Sequence, residues 1–178
     1  MKAEERLASK EVFDGRILRL RVDRVRLPDG GEAVREVVEH RPAVVIVPID
    51  AEGRVVMVRQ YRYAVREALL EAPAGIVEAH EKPEECAQRE LQEEVGYKAG
   101  SLRRLGEFWT TPGFSDELMY AYVATDLVPS VLDPDADENI EIERVPLSRI
   151  AEMVRSGEIR DAKTIAACLM VAGHAGQP

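Results

Sequence analysis

The sequence predicts an α+β chain, or an α/β/α sandwich, on three observations. Branched and apolar runs punctuated by glycine and proline turns fill most of the first sixty residues. A helical pattern opens at Pro83 and stops at Gly96. After two more strand-like runs, the last third returns to helical spacing. These elements do not alternate as a doubly wound parallel sheet would. With 178 residues, 46% of them apolar and 32% charged, the chain can bury a real core without covalent staples.

Residues 12–25 read as a strand, and Pro28-Asp29-Gly30-Gly31 as a turn that leads into residues 34–40 as the returning strand of an antiparallel β-hairpin. The unbroken apolar run 43–49 predicts a central strand buried on both faces. The turn Asp50-Ala51-Glu52-Gly53 joins it to a strand over 54–59. A helix over 83–95 follows, then strands over 102–109 and 118–124. Leu147, Ile150, Ala151 and Val154 lie at helical spacing, and Asp161 is placed to cap a last helix through Ile165 and Leu169.

A net charge of −9 argues against a general nucleic-acid binder, which carries a basic face. The longest apolar run is far shorter than the ~20 residues needed to cross a bilayer, so no membrane association is expected. The first six residues have acidic groups and no apolar stretch, unlike a signal peptide. Cys86 and Cys168 have no metal-ligand spacing, and a reduced, cytoplasmic setting is expected.

The predicted helix carries the chemistry. Glu93 and Glu94 stand three and four residues after Glu90, so three carboxylates crowd one side, while Ala87, Leu91 and Val95 form an apolar stripe. Like charges at this spacing repel. Either water and Arg89, pairing with Glu85 or Glu93, relieve that face, or a cation sits among the carboxylates. Glu81 lies just ahead of the helix, six residues after the turn glycine Gly75, and can fold back toward the same group. Sites rich in carboxylate oxygen select hard cations such as Mg²⁺ or Mn²⁺.

Gly75, Glu81, Arg89, Glu90, Glu93, Glu94 and Gly96 fill the fixed positions of G-x5-E-x7-R-E-U-x-E-E-x-G-U, and Leu91 fills the first bulky aliphatic position U. This pattern resembles the Nudix box. Tyr97 departs from it at the last U, which bears on packing more than on metal binding. The resemblance implies a Nudix-type sandwich with a mixed sheet over 42–178, preceded by an N-terminal β region over 1–41. It implies Glu90 and Glu94 as the main metal ligands, Glu93 and Glu81 in support, and Arg89 as the group that orients the glutamates. Glu93 also counts among the catalytic candidates, and the backbone carbonyl of Ala74 among the metal ligands. His80 stands where the family often has glycine, and is a ligand candidate or a plain loop residue.

Four further segments, 58–62, 71–75, 111–117 and 137–141, resemble the ADP-ribose pyrophosphatase subfamily, with Pro112 at the proline typical of it. Residues 133–141 read as a polar loop, and that likeness implies Arg62 on substrate phosphate and Glu138 in the loop as general base, with Glu141 competing for the role. It further implies Phe114 and Glu117 as lining of the substrate pocket. The likeness also implies a homodimer formed through the N-terminal strands, in which Arg35 or Arg41 reaches the substrate. The implied reaction is Mg²⁺-dependent hydrolysis of ADP-ribose to AMP and ribose 5-phosphate. GDP-mannose or another sugar nucleotide is the alternative substrate, and a catalytically silent nucleotide sensor the alternative of another class.

Overall fold

The computed structural model describes residues 2–133 and 139–174. They form two compact units, Met1–Pro42 with Trp109–Leu118, and Ala43–Phe108 with Met119–Pro178.

In the first unit the expected hairpin is a three-stranded antiparallel sheet, β1 (Glu5–Asp14), β2 (Leu18–Arg26) and β3 (Glu32–His40), in that order. The run 12–25 is not one strand. It breaks at Gly15, whose N–H donates to the Leu18 carbonyl at 3.0 Å. A Cβ on Gly15 would fall 2.5 Å from the ring of the exposed Phe13, which would have to turn aside to admit it. Strand β1 escapes a hydrophobic reading because its residues are nearly all exposed. It pairs through backbone bonds and ion pairs such as Arg26 with Glu5 at 2.9 Å and Arg19 with Asp14 at 2.7 Å. Gly30, at φ +92°, makes the turn between β2 and β3. Residues 109–118 lie against β3, where Val38 N–H donates to the Phe114 carbonyl at 2.7 Å and His40 N–H to the Asp116 carboxylate at 2.8 Å.

The second unit holds two sheets. Strand β4 (Ala43–Pro48) is buried throughout, as a doubly covered central strand should be. Strand β5 (Arg54–Arg62) follows it. The turn between them is present, with Gly53 at φ +73°, yet the two strands join different sheets. Backbone pairing between the segments is the isolated bridge Ile49–Val55, while their side chains share both core clusters. One sheet has β5 between β6 (Glu67–Glu71) and β10 (Ile140–Pro146), both antiparallel to it. The other runs β7-β4-β9-β8, with β7 (Ala74–Ile76) antiparallel and β9 (Leu118–Pro129) parallel to β4; β8 is Tyr97–Trp109. The sheet is mixed, as expected. Strand β8 starts five residues earlier than its apolar pattern, and within that extension Gln88 closes both backbone groups of Ala99 at 3.0 Å each.

Helix α1 (Pro83–Glu94) covers one side of the sheets. Its Cys86, Ala87 and Leu91, with Val95 just past its end, pack with Val44 and Ile46 of β4. The alternate residues Ala43, Val45 and Val47 face the opposite cluster with Ile150 and Met153 of α2 (Ile150–Ser156) and Ala167, Cys168 and Val171 of α3 (Ala162–His174). The period-2 alternation of one strand thus separates two helical layers. Gly96 ends α1 at φ +72°, and Asp161 caps α3 by accepting the Thr164 N–H at 2.9 Å. No helix among the described residues is long and apolar enough to cross a membrane.

Leu91 is fully buried where α1 meets β4. Leu91→Ala should lower unfolding free energy by about 2–5 kcal/mol, read from the midpoint shift in urea at unchanged slope.

Candidate functional site

The polar side of α1 gathers on Arg89. Its Nε and Nη2 donate to the two oxygens of Glu81 at 2.9 and 3.1 Å, and Nη1 donates to Glu90 and to Glu93, both at 2.7 Å. Nη2 also reaches the Ile76 carbonyl at 3.4 Å. The Glu81 hydrogen bonds come first among the causes that raise the Arg89 pKa above its ordinary value, despite partial burial, and the Glu90 charge adds to them. Burial pushes Glu81 up, but Arg89 outweighs it and holds that carboxyl below its usual range.

Glu90 and Glu94 are both buried. Strand β7 passes directly beneath them, since a Cβ on Gly75 would lie 1.8 Å from a Glu90 oxygen. One residue earlier, the Ala74 N–H donates to Glu94 at 3.3 Å. Pairing of Val44 with Gly75 in the sheet sets this register. Between β7 and α1 the chain turns at His80, which is exposed and takes φ +73°. The histidine thus adopts a left-handed conformation that glycine accepts at lower cost. Tyr97, the departure from the motif, accepts a hydrogen bond from Arg144 of β10 at 3.1 Å, a packing role.

Three carboxylates meet one guanidinium here, and Glu94, on the same helix, takes the Ala74 N–H. Oxygen-only donors with excess negative charge, two of them buried, suit a hard divalent cation. Among the described residues no three ligating side chains are already gathered on one point; Glu81, Glu90 and Glu93 are instead held by Arg89.

Arg62, at the end of β5, makes a fork with Glu71 of β6, Nε on Oε1 at 2.8 Å and Nη2 on Oε2 at 2.7 Å. Glu71 is 1% exposed and Arg62 41%. Lys163 of α3 also pairs with Glu71, and Asp161 with Lys163 at 3.0 Å. Burial would push Glu71 up, but the Arg62 hydrogen bonds and the Lys163 charge prevail and hold it below its usual range. Thr164 Oγ1 accepts the Ala72 N–H at 2.8 Å. Lys163 and Thr164 escape sequence reasoning, being 92 residues from their partners. Glu71 is visible only as part of a family-like segment.

Glu141 is exposed on β10, opposite Arg59 of β5. It therefore lies on a strand, where a polar loop was expected across 133–141. Glu138 lies outside the described residues. In the first unit, Arg35 ties Nε and Nη2 to Glu4 at 3.1 and 2.7 Å. Arg41 lines a cavity of about 360 Å³ with Arg16, Ile17 and Arg19. Phe114 is 55% exposed. Glu117 accepts from Thr110 at 2.7 Å and stands 3.6 Å from His40 Nδ1.

Residues 39–168 match the NUDIX domain family, and residues 4–38 match the nucleoside diphosphate sugar hydrolase N-terminal domain. The chain belongs to the Nudix family. It is 39% identical to an ADP-ribose pyrophosphatase of Bacillus subtilis (strain 168), over 90% of this chain and 88% of the relative. It is 42% identical to an ADP-ribose pyrophosphatase of Mycobacterium tuberculosis (strain ATCC 25618 / H37Rv), over 94% and 82%. A crystal structure of an ADP compounds hydrolase superposes with a TM-score of 0.90 at 26% identity, covering 98% of this chain and 95% of that one.

In this Nudix chain the lowered Glu71 pKa fixes a pH dependence. A carboxyl that is more acidic folded than unfolded stabilises above its ordinary value of 4.5. That contribution fades as pH falls through the native value. Glu71→Gln should cost about 2–4 kcal/mol near neutral pH, somewhat less than a fully buried pair because Arg62 is partly in water. The gap between wild type and variant should narrow as urea midpoints are followed below 4.5.

Proposed function

We propose that the chain is a divalent-cation-dependent hydrolase that splits ADP-ribose into AMP and ribose 5-phosphate. The observation that carries this reading is the pair of buried glutamates, Glu90 and Glu94, laid against Gly75 and Ala74 with Arg89 behind them. Similarity to two ADP-ribose pyrophosphatases and to an ADP compounds hydrolase supports the substrate.

Glu90 and Glu94 hold Mg²⁺, for which Mn²⁺ can substitute, with Glu93, Glu81 and the Ala74 carbonyl in support. Such ions neutralise the diphosphate and acidify a bound water. Water oxygen attacks phosphorus, the bridging P–O bond breaks, and the leaving phosphate oxygen keeps the electron pair. Glu138 takes the water proton, with Glu141 and Glu93 as the other carboxylates to test in that role. Arg62, with Nε and Nη2 on Glu71, presents Nη1 to a phosphate oxygen. Phe114, Glu117 and Arg41 contact substrate, Arg41 ahead of Arg35 because it lines a cavity.

Residues 1–41 serve as a dimerisation region and 42–178 as the hydrolase domain of a homodimer. The two cysteines are free and buried, which suits a reducing cytoplasm.

The test exploits a difference between substrate and products. A phosphatase releases phosphate from AMP and ribose 5-phosphate but not from an intact diphosphate ester. Across ADP-ribose, GDP-mannose, UDP-glucose, NADH and diadenosine polyphosphates with Mg²⁺, ADP-ribose should be preferred. Glu94→Gln should lower turnover about a hundredfold or more. Preference for GDP-mannose would keep the chemistry and replace the substrate. Silence with every metal would favour a nucleotide sensor. Light scattering at micromolar concentration should give the mass of two chains, and a single-chain mass would remove the dimer.

A further inference from the structure

The Glu71 carboxylate has two cationic partners, and one of them comes from α3. Arg62 takes both oxygens of Glu71 as a fork, while Lys163 pairs with Oε2. We infer that Lys163 is a positioning residue for the diphosphate, fixing the Arg62 guanidinium through the carboxylate they share. This rests on the reading that Arg62 meets substrate phosphate.

Lys163 is not itself presented to a ligand. Its side chain is 14% exposed and held between Glu71 and Asp161. Asp161 in turn is fixed by the first turn of α3, where it accepts the Thr164 N–H at 2.9 Å and the Thr164 hydroxyl at 2.5 Å. Thr164 Oγ1 also accepts the N–H of Ala72, the residue after Glu71. The start of α3 therefore grips residues 71 and 72 at two points.

Burial makes the second cation matter. Glu71 is 1% exposed, so its charge is poorly screened. With Lys163 removed, Arg62 would be its remaining cationic partner. A phosphate would then have to compete with a full carboxylate charge for one guanidinium. With Lys163 in place, part of that charge is answered elsewhere, and Arg62 stands oriented before substrate arrives. Such preorganisation lowers the cost of binding more than the barrier of the chemical step.

The experiment measures KM and kcat, on the diphosphate turned over fastest and at saturating Mg²⁺, for wild type, Lys163→Met, Lys163→Arg, Arg62→Ala and the Lys163→Met/Arg62→Ala double variant. Lys163→Met should raise KM about tenfold and change kcat less than about threefold, and Lys163→Arg should recover most of the loss. In the Arg62→Ala background, Lys163→Met should add little to KM, since the two act through one carboxylate. A merely structural lysine would lower the melting temperature and the active fraction, leaving KM unchanged. That result, or additive KM losses, overturns the inference while Arg62→Ala still raises KM. An Arg62→Ala variant with unchanged KM, or no turnover of any diphosphate, overturns the reading beneath it and Lys163's role as well.

Discussion

Arg89 is the side chain on which the acidic side of α1 depends. Three glutamates stand within hydrogen-bond distance of its guanidinium, and without a cation they would repel one another where water screens them poorly. The planar fork reaches Glu81 in the approach to α1 and Glu90 and Glu93 within it, while also touching the Ile76 carbonyl of β7. One residue thus ties strand, turn and helix together. A lysine would bring the charge without the geometry, because its ammonium is a point on a flexible stem rather than a rigid set of donors.

That arrangement needs α1 placed closely against β7, and two features allow it. On the apolar side, Ala87, Leu91 and Val95 seat the helix over Val44 and Ile46 of the central strand. On the polar side, the missing Cβ of Gly75 lets the Glu90 carboxylate lie almost on the backbone of β7. The same strand β4 supplies both references, since Val44 packs under the helix and pairs with Gly75. Core packing and site geometry are therefore set by one register, and a slip of one residue would move Gly75 from beneath Glu90.

What could be read from the sequence follows how local each interaction is. The Glu81–Gly96 segment was legible because its contacts fall within one helix and the turn before it, where spacing maps directly onto faces. The β4 strand was legible as a solid apolar run. Strand β1 was not, because charges such as Glu5 and Arg6 face water and their partners lie on β2. The turn 50–53 was legible as a join between two strands, but it carries the chain from one sheet to another, a tertiary choice that turn chemistry does not encode. Glu141 read as a loop residue because its pairing with Arg59 spans most of the second unit.

Arg89, Arg35 and Arg62 each hold a carboxylate through two nitrogens and differ in what they leave available. Arg89 has all three nitrogens occupied by protein acceptors and is 27% exposed. Arg35 likewise has Nε and Nη2 on Glu4 and Nη1 on the Val34 carbonyl. Arg62 places Nε and Nη2 on Glu71, and among the described residues its Nη1 meets no protein acceptor, with 41% of the side chain in contact with solvent. A guanidinium anchored on one edge and free on the other combines a fixed position with unused donors. An anion arriving there finds the donors aligned and displaces only water. Arg89, equally charged, would have to break internal hydrogen bonds to do the same, which is why charge alone does not distinguish a ligand-binding arginine from a structural one.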